Sequence, residues 1–165
     1  MSMNDDGGST STGGEHVPMI LWVAITATKI VYLLLAVALR DNIPHVLADD
    51  MATSMYVALA FAVATLVATR ATKFVTTRIL SPIEELDERA VQVKVQRAVA
   101  IRSAFFESPA LLGLVFLLLT GRLNIMAVFV GYSLALDLVN IPTSKRLRAM
   151  ALQVHPKTKL YEEAL

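Results

Sequence analysis

Three ionisable residues stand inside stretches that are otherwise apolar: Lys29 in VPMILWVAITATKIVYLLLAVAL, Glu107 in SAFFESPALLGLVFLLLT and Asp137 in LNIMAVFVGYSLALDLVNI. A charge held away from water is costly, so such a group pairs with another, snorkels to headgroups, or changes protonation as part of a transport step. Neighbouring residues add companions. Ser133, Asp137 and Asn140 are spaced four and three apart and share one helical face, while Ser103 and Glu107 share another. Lys29, Glu107, Asp137, Ser133 and Asn140 therefore form a candidate intramembrane polar or ion site. Two principal readings stay open: an internal clamp in which Lys29 pairs with an acid, or a proton or cation pathway.

Other chemistry is sparse. His16, His45 and His155 are isolated, and none belongs to a metalloprotease pair, a phosphate loop or a nucleophile elbow. Asp41, His45 and Asp49 are four apart, as metal ligands on a helix can be, but Pro44 interrupts them and a solvated connector is expected. With no cysteine there is no disulfide, thiol nucleophile or thiolate metal site. The expectation is a non-enzymatic protein without catalytic residues, cofactor or metal.

The elements that carry these residues are long apolar blocks. Hydrophobic residues make up 55% of the chain and charged ones 18%, and the apolar excess gathers at 17–39, 51–69, 103–120 and 123–141. Each block is about the 17 to 25 residues that a helix needs to cross a bilayer core. Their ends carry Arg40, Asp49 and Asp50, Arg70, Arg102 and Arg122, where charged heads reach water. The region between the second and third blocks, together with the C-terminal segment, holds twelve of the fifteen Lys and Arg residues. Only Arg40 and Arg122 lie on the opposite face of a four-span chain, so the positive-inside rule puts both termini in the cytoplasm. A net charge of +1 gives no reason to expect nucleic-acid binding, and the basic residues read as topology signals.

The N-terminal MSMNDDGGSTSTGGE is polar and Gly/Ser-rich, which predicts a disordered tail over 1–16. Ala36-Val37-Ala38 has the small residues of a signal cleavage site, yet the preceding run is long for a signal and contains Lys29. In the middle, Ser81-Pro82-Ile83-Glu84 has the cap, proline and acid that start a helix. Val91 to Gln96 alternates with a strand's period, but a lone strand has no partner here and helix is preferred. Pro109 lies within the third block and removes the backbone bond to the Phe105 carbonyl, which predicts a kink, with Ser108 or a neighbouring helix satisfying that carbonyl.

Two local resemblances follow from these residues. Glu107-Ser108-Pro109-Ala110-Leu111-Leu112-Gly113-Leu114-Val115 is similar to the run around the ion-carrying carboxylate of V-type ATPase proteolipid subunits. That resemblance implies a four-helix subunit of a ring with Glu107 as the carrier, although Glu107 is shallower and the termini face the other way. TTRILSPIEELDERA, residues 76–90, resembles the first helix of a HAMP signalling module, although a membrane block follows it instead of a glycine connector and a second helix.

The expected architecture is all-α: four transmembrane helices as two hairpins, 17–69 and 103–141, joined by a long amphipathic cytoplasmic helix over 70–102 and followed by a basic tail over 142–165. Ala60, Ala64 and Ala68, and likewise Ala127, Gly131 and Ala135, recur every four residues. Such faces let helices approach closely, within one chain or against another copy or membrane subunit. The partners expected are the lipid bilayer and a homo-oligomer or second membrane subunit, in the plasma membrane.

Overall fold

The computed structural model describes residues 16–161 except 40, 41, 43, 45, 48 and 86. The expected tail before His16, Arg40, Asp41, His45 and the final residues 162–165 lie outside them. Among the described residues there are five helices and no strand: α1 Val17–Leu39, α2 Met51–Ile79, α3 Glu88–Thr120, α4 Leu123–Val139 and α5 Ser144–Val154. The first three are long and apolar enough to cross a membrane. α4 has 17 residues, about 25 Å of helix, and meets α5 at a bend of 73°.

α3 is the axis of the molecule. It packs against α1, α2, α4 and α5, whereas α1 and α2 each pack mainly on α3 instead of forming a hairpin with each other. Only 11% of the apolar stretch of α1 or of α2 is buried, against 44% for α3. Most of the apolar surface of α1 and α2 therefore faces outward, as it does where lipid replaces water.

The boundaries differ from the expected ones in the middle of the chain. Residues 70–102 are not one linker helix: α2 continues to Ile79, residues 80–85 and 87 are non-helical, and α3 begins at Glu88 and runs without a break through Pro109 to Thr120. Residues 76–90 consequently do not form a first HAMP-like helix, and 91–96 are helical. Pro82 cannot continue α2 and biases Ser81 away from helix. Ser81 is occupied elsewhere, its carbonyl and hydroxyl accepting from Lys94 Nζ at 2.7 and 3.2 Å. The cap falls instead on Asp87, whose carboxylate accepts from Arg89 N at 3.0 Å.

The segment expected as a basic tail is also structured. Leu147, Ala151 and Val154 of α5 close over Val91, Val95, Ala98 and Val99 of α3, with Leu80 and Tyr161 completing the cluster. The backbone joins in, since Ile83 N donates to the Val154 carbonyl at 3.0 Å. Glu88 holds the last turn, accepting from Thr158 Oγ1 at 2.5 Å and Lys159 N at 3.1 Å. This is a water-type core, with apolar side chains turned inward and the charged ones outward.

At the other end, Gly121 adopts φ 71°, a left-handed cap that costs glycine little, and its N–H returns to the Leu117 carbonyl at 2.7 Å. α4 then turns back along α3. The connection before α2 is tied to this corner by Leu47 N donating to Leu119 O at 2.8 Å, and Ser54 Oγ donates to Leu47 O at 2.9 Å. Asp50 caps α2, and the Thr53 hydroxyl and N–H together hold its carboxyl below the usual carboxylate range.

The two small-residue faces are not used for packing within the chain. Ala60, Ala64, Ala127, Gly131 and Ala135 are exposed and Ala68 is only partly covered. α2 turns Ser54, Thr65 and Thr72 inward, and α4 turns Met126, Phe129, Val130, Ser133 and Asp137 inward. α3 supplies the clearance: a Cβ on Gly113 would lie 2.8 Å from Phe129 Cβ and 3.2 Å from the Met126 carbonyl, whereas one on Gly131 would meet nothing within 4 Å. Gly113→Ala is therefore expected to lower unfolding stability in detergent by about 1–3 kcal/mol through overpacking, and Gly131→Ala to stay within about 0.5 kcal/mol. Denaturant titration of the two purified variants checks both values.

Candidate functional site

α1 carries two polar faces. Thr26 and Lys29, three apart, look toward α4, while Thr28 and Tyr32, four apart, look toward α3. The apolar run that makes α1 a helix thus holds two polar notches about a third of a turn apart.

At the first notch, Lys29 and Asp137 form an ion pair with both side chains fully enclosed. Lys29 Nζ also reaches the Ser133 carbonyl at 3.5 Å, and Thr26 Oγ1 donates to Asp137 Oδ2 at 3.1 Å. Asp137 Oδ1 is buried with no hydrogen-bond partner among the described residues. Ser133 Oγ donates to the Phe106 carbonyl, so the same face of α4 is bonded to α3 as well as to α1. Desolvating two ions is expensive, and only close contact with further hydrogen bonds offsets it. Lys29 therefore fixes which face of α1 meets α4.

At the second notch, Glu107 is half-buried and belongs to a different set. Its Oε1 accepts from Thr28 Oγ1 at 2.8 Å and from the Tyr32 hydroxyl at 2.6 Å. Two neutral donors serve a carboxylate that has no cation beside it in this set. The Phe105 carbonyl, deprived of its helical partner by Pro109, accepts from Ser108 Oγ at 2.7 Å. Glu107 and Asp137 are thus held on different helices by different faces of α1.

Asn140 stands apart from both notches. Its Oδ1 accepts from Arg102, and its Nδ2 donates to the Leu136 carbonyl at 2.6 Å. The Arg102 guanidinium also lies 5.5 Å from the centre of the Phe106 ring. Arg146 donates to the Val139 carbonyl at the open end of α4, which supplies a cation where the helix needs one. Of the five candidate residues, Lys29, Asp137 and Ser133 come together, Glu107 takes Thr28 and Tyr32, and Asn140 takes Arg102. Thr26, Thr28, Tyr32 and Arg102 are partners missing from the candidate set. Their signal was available for α1, since Thr26, Thr28 and Tyr32 are the polar-capable residues within one turn of Lys29.

A further metal site is not supported by geometry: among the described residues no three His, Asp or Glu side chains gather. His155 is nearly buried at the foot of α5, and its Nδ1 accepts from Lys157 N at 3.2 Å, an ordinary turn contact.

The arrangement makes a prediction that separates the pair from its members. Lys29→Met or Asp137→Leu alone leaves a buried unpaired charge and should cost about 3–5 kcal/mol, whereas the double replacement should recover most of the loss. A double-mutant cycle in detergent unfolding measures it. No protein-family model, no curated protein and no solved structure matches the chain.

Proposed function

We propose that this chain is a non-enzymatic integral membrane subunit that works by lateral assembly, with another copy of itself or with a different membrane protein. The observation that carries the reading is the outward display of its small residues. Ala60 and Ala64 on α2, and Ala127, Gly131 and Ala135 on α4, are exposed, and the space around Gly131 is open. Beside them runs an apolar groove of about 720 Å³ between α2 and α4, lined by residues that include Met55, Tyr56, Leu59, Phe129 and Tyr132. Small residues bring helix backbones close enough for dispersion and Cα–H contacts, which is the main drive for association where lipid is as apolar as the protein. The buried ion pair suits a rigid partner better than a mobile carrier, because it locks α1 to α4.

In this reading α4 is a fourth crossing. Its turn at Gly121 sends it back along α3, and its length of about 25 Å lies at the short end of the range for a span. The 73° bend then lays α5 off the axis of α4. The twelve basic residues on the α5 side support cytoplasmic termini, and the reading takes the membrane to be the plasma membrane. Gly131→Leu and Ala64→Leu should abolish the complex seen by mass in native nanodiscs while leaving the monomer folded. A complex unchanged by both substitutions overturns lateral assembly through these faces.

A second reading is favoured by Glu107 alone. A half-buried carboxylate held by a phenol and a hydroxyl, with no cation in that set, is the group that a translocated proton or cation would meet. Proton or cation translocation would then appear as acid-driven uptake into proteoliposomes, lost in Glu107→Gln and retained in Gly131→Leu. An accessory subunit shows no uptake above empty liposomes.

A further inference from the structure

Beyond the helix-facing surfaces, a second concavity of about 410 Å³ opens where α2, α3, α4 and α5 converge, within the size range of about 300–1,000 Å³ typical of small-molecule sites. Unlike the apolar groove, it sets cations and amides among apolar side chains such as Leu80, Leu136 and Met150: Lys73 from α2, Arg102 from α3, Asn140 after α4 and Gln153 from α5, with threonines of α2 along one wall. Among the described residues no acidic side chain lines it. Arg102 also lines the small adjoining cleft together with Arg146, so a third cation stands close by, again without a carboxylate in the lining among the described residues.

The wall chemistry narrows the ligand. Thr69, Thr72, Thr76 and Thr77 each donate the hydroxyl to a carbonyl of their own helix, at 2.7 to 2.9 Å. Their free capacity is as acceptors, and the donors facing the cavity come from the two cations and the amide of Gln153. A guanidinium has five N–H donors, and the bond from Arg102 to Asn140 uses one of them while fixing the plane of the group. Stacking on Phe106 fixes it further. A preset guanidinium opposite a flexible ammonium, without a competing acid, is suited to a tetrahedral phosphate oxyanion. The location adds the source: Arg102 is the first charge before the apolar stretch of α3, and Lys73 follows the apolar stretch of α2, which places the crevice at headgroup level of the basic side.

We propose that this crevice binds a phosphate group, held by Lys73 and Arg102, and that the group belongs to the headgroup of an anionic lipid. The site rests on the membrane reading but not on lateral assembly, since it lies within one chain. Native mass spectrometry of the full chain, released from nanodiscs of equimolar phosphatidylglycerol and phosphatidylcholine and read on the monomer peak, tests it. Phosphatidylglycerol should be retained in preference, and Lys73→Gln should weaken retention about fivefold, the weight of one basic contact at a charged membrane surface. Arg102→Gln should do the same, but it also strips Asn140 of a partner, so the exposed Lys73 is the cleaner test. Arg78, which lies over the Phe74 ring and does not line the crevice, is the control. Loss of equal size in Arg78→Gln reveals diffuse attraction and overturns the site, as does retention without preference for the anionic lipid, unless inorganic phosphate binds in a Lys73-dependent way. That last result keeps the phosphate site and assigns it to a soluble source.

Discussion

The enclosed pair of Lys29 and Asp137 is the contact on which the membrane half of the molecule depends. An apolar surface of α1 has little reason to prefer one neighbour to another in lipid, because leucine against leucine is no better than leucine against an acyl chain. A buried ammonium has a strong reason. It must meet its acid, and in doing so it sets the rotation of α1, the register of α4 and, through the Ser133 bond to the Phe106 carbonyl, the seat of both on α3. Thr28 and Tyr32 then fall opposite Glu107 as a consequence of the helical repeat.

The same chain uses two kinds of interior. Where α3, α5 and the segments around Leu80 and Tyr161 meet, apolar side chains turn inward and charges turn outward, as water requires. Along α1 and α2 the pattern is reversed: leucines and valines face out, and the inward positions hold Lys29, Ser54, Thr65 and Thr72. Thr72 is tolerated because its hydroxyl returns to the Ala68 carbonyl one turn back, whereas Thr65 Oγ1 is buried with no hydrogen-bond partner among the described residues. α3 passes through both environments as one helix of 33 residues and couples them mechanically. The basic crevice sits at the junction, where Arg102 has its hydrocarbon stem among apolar neighbours and its guanidinium beside Asn140.

The surfaces left over have meaning in this setting. An exposed alanine or glycine on a soluble helix says little, but in a bilayer it marks where another helix can come close. Gly113 shows the effect within the chain, since only its missing Cβ lets α3 approach Phe129 and Met126. Gly131 offers the same clearance with no occupant within the chain.

The sequence by itself determined the helical class, the first apolar helix from Val17 to Leu39 and the isolation of Lys29, Glu107 and Asp137 in apolar surroundings, because block length and the cost of charge in hydrocarbon are local properties. It also identified the Phe105 carbonyl as the one freed by Pro109, while the choice between Ser108 and a neighbouring helix as its donor fell to Ser108 in the fold. It did not determine which acid Lys29 would take: Glu107 and Asp137 are alike in residue spacing and depth, and only the packing of α1 into the groove between α3 and α4 chose Asp137. Nor did it show that the helix would break after Ile79, because Leu80 is buried and Ile83 partly covered only when α5 folds back over α3. The small-residue faces were legible as spacing but not as direction, since the side of a lipid-facing helix that turns inward is settled by polar partners on other helices, and those are brought near only by the tertiary fold.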